Sequence, residues 1–357
     1  MKLPNEKVSF TVHPPVEFVY ALNFIANEGP LYKQYQEYNF SPSEDFRMLI
    51  DEMKGKLSKY LQSELVYFFG WQDMLHIMGR IILENDKIKT VPDFIGFIGE
   101  ISEKELLSYI MRQVLWRESS FSESLACWND CEHITGNIKQ LISDMDDKSD
   151  EEKEKLGECV DNPSEIKSRL HLLMTQFYEK CYKSIEGRLL KESELAKLRY
   201  EKLFLADPEY FYREFLNKFS EFEHKELVIH VSYFTQIRLW LFLMKPHNQV
   251  LWVSLGIYTE HYPRKVFITS RVQKFVKLLS DKKRFEIVEL LGRKPHYVYE
   301  LAAELELTPP TVSYHLNALS DLNLVYVERN NNKTYYSLNR EAVSELLENA
   351  AEILLKK

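Results

Sequence analysis

Through residues 1–143 apolar positions recur every three or four places, the spacing that gathers them on one face of an α-helix. Ser41-Pro42-Ser43-Glu44 sets a hydroxyl cap and an early proline before a periodic run reaching about Phe69. Ser102 and Glu105 have the spacing of a capping box ahead of Leu106, Ile110, Val114 and Leu115. A further helix is expected over 122–143. The segment 144–158, DMDDKSDEEKEKLGE, then loses almost all its apolar residues. It reads as an acidic linker or an exposed helix end rather than a cation site. Beyond it, Asn162-Pro163-Ser164 opens a long helix whose face carries Ile166, Leu170, Leu173, Phe177, Cys181, Ile185 and Leu189. Gly187 and a change of phase near Lys191 are where it is expected to break. Asp207-Pro208 begins another helix through Phe211, Phe215 and Phe219.

From Glu226 to Ser270 the pattern changes. LVIHVSYF and VLWVSLGIY are rich in β-branched and aromatic residues and read as strands, with KVFIT (265–269) as a third short one. LWLFLMK (239–245) is too short for its periodicity to decide between helix and strand. A small sheet is expected here.

The last part of the chain returns to helical spacing and ends in an alternating pattern. Val272–Leu279 and Lys283–Leu291 are amphipathic, Tyr299–Leu305 forms a third short helix, and Glu306-Leu307 make a turn with Leu307 inward. Thr308 is an N-cap, and Pro309-Pro310 fit a first turn whose amides have no intrahelical partner. Val312, Leu316 and Leu319 then face a core, leaving Thr311, Ser313, Tyr314, His315 and Asn317 a share of the outer surface. Asn323 suits a left-handed C-terminal cap. Leu324–Arg329 and Lys333–Leu338 alternate as two strands around Asn330-Asn331-Asn332, with Arg329 and Lys333 at the tip. A capped helix with small polar side chains, followed by a hairpin rimmed by cations, is an arrangement that fits a DNA groove.

Composition narrows the classes. The chain has 357 residues, 45% hydrophobic and 28% charged, which suits two or three globular domains. Gly and Pro are few (11 and 13), so long regular elements should dominate, and 21 Phe with 21 Tyr supply large buried areas. No apolar run is long enough to span a bilayer and the first residues lack a signal-peptide core, so a cytoplasmic location with no membrane contact is expected. Four cysteines, Cys127, Cys131, Cys159 and Cys181, make no disulfide framework. The net charge of −8 is unsuited to a DNA binder until it is divided. Residues 271–357 carry 13 basic and 12 acidic side chains, and residues 1–270 carry 33 and 42. The acid therefore lies away from the candidate DNA-binding end, although +1 is a modest electrostatic footprint.

Asp281–Leu338 resembles the winged helix-turn-helix of ArsR-type transcription regulators. The likeness rests on Asp281 with Lys282, Lys283 and Arg284, on Glu300-Leu301-Ala302, and on Thr311-Val312-Ser313-Tyr314-His315-Leu316. It continues through Leu319 and Leu324-Val325 to a wing closing with Tyr336 and Leu338. The resemblance implies a homodimer whose interface uses the first helix and a last one at about Arg340–Leu355, a palindromic double-stranded DNA operator, and repression relieved by a signal. Metal-sensing members carry paired cysteines where this chain reads Tyr297-Val298-Tyr299-Glu300-Leu301, and the last helix lacks the Asp and His ligands of other sensors, so no metal is expected at those places. Pro309-Pro310 also replace residues that are small and polar in relatives, which removes donors near the phosphates.

Elsewhere, Cys127 and Cys131 share a helix face with His133 nearby, and Cys159 and His171 could complete a metal site only by tertiary folding, so packed core thiols are the preferred reading. Tyr32, Tyr35, Tyr38 and Phe40, and again His224, His230 and Tyr233, read as core, with an effector pocket as the alternative. There is no phosphate-binding glycine loop, nucleophile elbow or kinase signature, so neither an enzyme nor a cofactor is expected. The fold class expected is mainly α: a helical N-terminal region with a small β element, plus a C-terminal winged helix-turn-helix (α+β). The expected division is a helical domain over 1–143, the linker 144–158, a helical region with short strands over 159–270, and a DNA-binding domain over 271–357 that includes a C-terminal dimerisation helix. The function expected is a homodimeric DNA-binding repressor whose N-terminal region senses an unknown effector or mediates oligomerisation. Its DNA contacts would be Thr308, Thr311, Ser313, Tyr314, His315, Asn317, Arg329, Asn331 and Lys333. The alternative is a protein-interaction module in which the winged helix serves assembly.

Overall fold

The computed structural model describes residues 7–38, 40–115, 135–145, 148–216, 225–237, 239–243, 250–261, 264–330 and 333–355. The chain divides into two compact units, 1–262 and 263–357. Helices dominate, and no described helix is long and apolar enough to cross a membrane.

The hub of the first unit is α1 (Pro14–Ala26), PPVEFVYALNFIA, which is apolar apart from Glu17 and Asn23 and is buried from Pro15 to Ile25. A helix of that kind has to be enclosed. It shares one core with α2 (Glu28–Glu37), α3 (Glu44–Gly55), α4 (Lys59–Phe69), α5 (Gln72–Glu84), α6 (Val91–Glu100) and α7 (Glu103–Leu115). The Phe18 ring meets Tyr182 edge-on at 5.1 Å, and Phe24 meets Phe46 at 5.0 Å. The run expected between Glu44 and Phe69 is two helices, because Ser58 leaves the helical region and caps α4 by accepting from the Leu61 amide. Ser102 caps α7 through the Glu105 amide.

α8 (Thr135–Asp144) and α9 (Asp150–Asp161) follow, so the expected acidic linker is corrected. Ser149 and Glu152 form a capping box, and Met145, Leu156, Cys159 and Val160 are buried. A few apolar side chains at helical spacing suffice to bury one face. The acidic residues gather in the first turn, where the helix dipole favours them. One core runs from residues of α1 through α9 to Phe234 and Ile237, so no domain boundary falls at 143 or 159.

α10 (Pro163–Phe177) widens into a π-turn at Tyr178–Tyr182, and α11 (Glu186–Ala206) resumes after a short break. The break lies at 183–185, ahead of Gly187, because the wider turn brings Tyr178, Cys181 and Tyr182 all inward. Arg169 on α10 holds Glu64 of α4 through two nitrogens (2.9 and 3.0 Å) and Glu158 of α9 at 2.6 Å. It also lies 4.5 Å over the Tyr67 ring, binding three helices at one point.

The sheet of this unit has the order β1-β2-β4-β3, with β1 (Lys7–Thr11), β2 (Glu226–Ser232), β3 (Leu239–Leu243) and β4 (Val250–Gly256). β1–β2 and β2–β4 are parallel, and β3 runs antiparallel to β4. β1 escapes a sequence reading because its partner lies more than two hundred residues away. KVFIT is not a strand: it belongs to α13 (Arg264–Leu279). Five β-branched and aromatic residues carry too little pattern to outweigh the helix they lead into. Leu227, Ile229, Val231, Leu251, Val253 and Leu255 pack with Tyr200 of α11 and with Phe211 and Phe215, which come from α12 (Pro208–Phe211) and the π-turn after it. Strand alternation therefore sends His230, Ser232 and Ser254 to the other face.

His13 stands at the N-cap position of α1 with its ring half-buried beside Trp252. Burial, then the neighbouring His230 and Lys89, push its pKa down to about 4. Since the unfolded imidazole titrates near 6.5, the unfolded chain takes up a proton that the folded one refuses between pH 6.5 and 4. Stability from this group is full above 6.5 and falls through that window. In urea titrations at pH 7, 5.5 and 4, the wild type should lose up to about 3 kcal/mol more than a His13→Gln variant.

Candidate nucleic-acid interface

The second unit contains α13, α14 (Lys282–Arg293), β5 (His296–Tyr297), α15 (Val298–Leu305), α16 (Pro309–Ser320), β6 (Val325–Asn330), β7 (Lys333–Leu338) and α17 (Arg340–Leu355). Its sheet has the order β5-β7-β6, all antiparallel. Asp281 caps α14 by accepting from the Arg284 amide at 3.0 Å. That bond chiefly holds the Asp281 carboxyl below the usual carboxylate range.

The turn between α15 and α16 is set by Glu306, whose φ of 55° is left-handed, while the Leu307 amide donates back to the Ala302 carbonyl at 2.9 Å. The free carbonyl of Leu305 accepts from Lys283 Nζ at 2.9 Å, a cation placed at a helix C-terminus. Thr308 then caps α16: its Oγ1 accepts from the Thr311 amide, and the two threonine hydroxyls lie 2.8 Å apart.

On α16, Val312, His315, Leu316 and Leu319 are buried, Tyr314 is 66% exposed, Asn317 is exposed, and Thr311 and Ser313 are half-buried. His315 is thus corrected from an outward to an inward side chain. It lies one turn from Val312 and Leu319, and only 8% of it is exposed. Asn323 is left-handed as expected (φ 59°) and is followed by a Leu324 amide donating to Leu319 O at 3.0 Å. The hairpin registers Arg329 with Thr334 and Asn330 with Lys333. Asn331, and the side chains of Arg329 and Lys333, lie outside the described residues, as do Cys127, Cys131, His133 and His224.

Two residues that sequence reasoning missed hold this arrangement. Asn339 donates from Nδ2 to Asn323 O (3.0 Å), and its Oδ1 accepts the Ala342 amide, so it joins the exit of α16 to the start of α17. His296, fully buried on β5, bonds Lys294 O through Nδ1 at 2.9 Å and lies 3.4 Å from Glu304. The Asn339 signal was readable as a polar cap before a periodic run; that of His296 was not, since a lone histidine carries no spacing.

A profile for bacterial regulatory proteins of the arsR family matches residues 281–327. The arsenical resistance operon repressor of Bacillus subtilis (strain 168) is 45% identical over 76 residues, which cover 21% of this chain and 71% of the repressor. The chain belongs to the arsR family. The arsenical resistance operon repressor of Staphylococcus aureus is a further arsR relative, 32% identical over 74 residues that cover the same shares. Among solved structures, an ArsR-like transcriptional regulator from Rhodococcus sp. RHA1 aligns over 25% of this chain and 83% of its own, at 24% identity and a TM-score of 0.24. NolR from Sinorhizobium fredii aligns over 27% and 91%, at 27% identity and a TM-score of 0.22.

Among the described residues of this arsR-family chain, no group of three or more His, Cys, Asp or Glu is placed to hold a metal ion. Cys159 and Cys181 are buried, and burial raises their thiols to about 12 and about 11, which keeps them protonated and unreactive.

The left-handed Glu306 gives a direct test of the turn. A side chain there costs more than glycine would, partly offset by the freedom glycine has in the unfolded chain. Glu306→Gly should raise stability by roughly 0.5–1 kcal/mol in thermal melts, whereas an unchanged or lowered melting point would show that Glu306 stabilises the turn by other means.

Proposed function

We propose that this DNA-binding transcription regulator acts as a homodimer on a palindromic operator, with the first unit sensing an effector. The observation that carries the reading is α16: a capped helix after a tight left-handed turn, its core face filled, with Ser313, Tyr314 and Asn317 turned outward. Side chains of these types reach base edges and phosphates in a major groove. Thr308 and Thr311 cap the same end, and Arg329, Asn331 and Lys333 belong to the wing that would meet the backbone.

The dimer reading rests on α13 and α17, which pack against each other and are linked by Arg271 and Glu345 at 3.6 Å. Val276, Leu347 and Leu354 remain more than half exposed. Leu347 and Leu354 lie two turns apart on one stripe of α17, an apolar face that a second copy would cover. The relatives are named as repressors of an arsenical resistance operon, which favours repression for this chain too. An effector preferring one placement of the two winged helices would change whether both recognition helices reach grooves ~34 Å apart.

The test is selection of duplexes from a random library, followed by a salt series. Two half-sites about one helical turn apart are expected, with affinity falling linearly in log salt. Tyr314→Ala should weaken operator binding about tenfold or more while leaving the salt slope unchanged, as expected for a base contact rather than a phosphate contact. Absence of any selected site would leave assembly as the role of the winged helix.

The dimer is tested separately by light scattering. A Leu347→Glu/Leu354→Glu variant should run as a monomer at concentrations where the wild type is dimeric; an unchanged mass would move the interface elsewhere.

A further inference from the structure

The wing sheet of the second unit has one face on the core and one that no described residue covers. Directly opposed residues of neighbouring strands project to the same side, and so do alternate residues of one strand. His296 is registered with Tyr336, and Val325 with Leu338. His296 and Val325 are buried, and Tyr336 and Leu338 pack against the apolar core, so theirs is the inner face. Tyr297 is registered with Tyr335, and Tyr326 with Ser337, which places Tyr326 diagonal to Tyr335. These side chains share the outer face. The Tyr297 ring meets Tyr335 edge-on at 5.7 Å, and Tyr299, at the start of α15, lies 6.3 Å from Tyr297. Tyr299 is 68% exposed and Tyr326 47%, while Tyr297 and Tyr335 are half-buried. Two phenols thus support two others that stand out.

We propose that this tyrosine face is a second DNA-binding surface, which seats the sugar–phosphate backbone of double-stranded DNA beside the wing. Continuity with the wing selects that occupant. The strands bearing Tyr326 and Tyr335 run directly into the hairpin of an arsR-type domain. With the inner face on the core, a duplex at the hairpin meets the sheet only at its outer face or along β6, the edge strand that carries Tyr326. Electrostatics point the same way. The second unit has 15 basic and 12 acidic side chains, too small a surplus for charge alone to hold a duplex. The Thr311 amide, at the start of α16, is already taken by Thr308.

A phenol supplies what such a domain needs. Its ring lies against deoxyribose, and its hydroxyl donates to a phosphate oxygen without bringing a charge. Contacts of this kind carry no sequence information. They also displace no cation from the DNA, so they add affinity without steepening its dependence on salt. A lysine or arginine in the same place would add about one to that slope.

This surface presupposes that the second unit binds DNA, but it requires neither a palindromic operator nor an effector. The full-length protein is therefore titrated with a duplex of random sequence across a salt series. Tyr299→Ala/Tyr326→Ala should bind about tenfold more weakly with an unchanged salt slope. Tyr299→Phe/Tyr326→Phe, which keeps the rings and removes the donors, should show a smaller loss. A direct readout is nitration of the wild type by tetranitromethane. The duplex should protect Tyr299 and Tyr326 and leave Tyr60, 53% exposed in the first unit, reacting as before. If the alanine pair misfolds, the phenylalanine pair and the nitration pattern decide. Wild-type affinity in the variants, or no protection of either tyrosine, would overturn the proposal. So would a loss seen on a single-stranded oligonucleotide and not on the duplex, which would mark a platform for unpaired bases. Where the wild type binds duplex and the variants match it, this surface alone falls; where the wild type binds no duplex, the DNA-binding reading falls with it.

Discussion

A helix enclosed on every side must find a partner for each polar group it carries, and α1 carries Glu17 into the centre of the first unit. Its other buried polar residue, Asn23, donates to the Phe69 carbonyl at the end of α4. Among the described residues Glu17 has only the Phe234 amide and the edge of an imidazole. Much of the unit is arranged to reach that helix: α10 widens into a π-turn to bring Tyr178 and Tyr182 against Phe18, and the loop after β2 folds back to place Phe234 beside Phe24 and Phe46. The loop itself is strained into place. Gln236 takes a left-handed φ of 52°, and its carbonyl crosses so close to Gly256 that a Cβ there would stand 2.0 Å from it. Glycine is the one residue that permits this approach at the end of β4.

How much of this was legible follows from where the signals lie. Caps are local, so Ser43, Ser102, Thr308 and Asp207 announced helix starts that the structure carries. The winged helix was legible almost throughout, because its turns are short and each is marked by a cap or a left-handed residue. The sheet of the first unit was only half legible: β2 and β4 read as strands, but β1 is defined by a partner remote in the chain and by nothing in KVSFT itself. Acidic content misled at α9, where three or four buried residues outweigh the charge around them. His315 shows the limit inside a helix, since a polar side chain at an inward position is invisible to a reading that assigns faces by polarity.

Two units with different electrostatics share the chain. Nearly all the excess acid lies before residue 271, in the part with the aromatic core and the buried carboxylate. The second unit, 263–357, carries 15 basic and 12 acidic side chains, a modest +3, and exposes tyrosines: Tyr299, Tyr314 and Tyr326 are each about half exposed or more. Phenols offer stacking area and one hydrogen bond apiece at little entropic cost, so affinity on the proposed reading comes more from fitted contacts than from bulk charge.

The start of α16 sharpens that argument. A helix N-terminus ordinarily offers unpaired amides to a phosphate. Here Pro309 and Pro310 have none to offer, and the Thr311 amide is taken by the Thr308 hydroxyl. The two threonine hydroxyls are engaged with each other, so the first turn is closed as an anion site. What remains outward is the middle of the helix, Ser313, Tyr314 and Asn317, one to two turns further along. On the proposed reading, α16 would therefore meet DNA through its side face rather than its tip, and phosphate contact would fall to the wing and to the second copy of the chain. A regulator built this way needs both copies seated to bind well. Anything that changes how two copies stand relative to each other then acts on affinity without touching a single DNA contact.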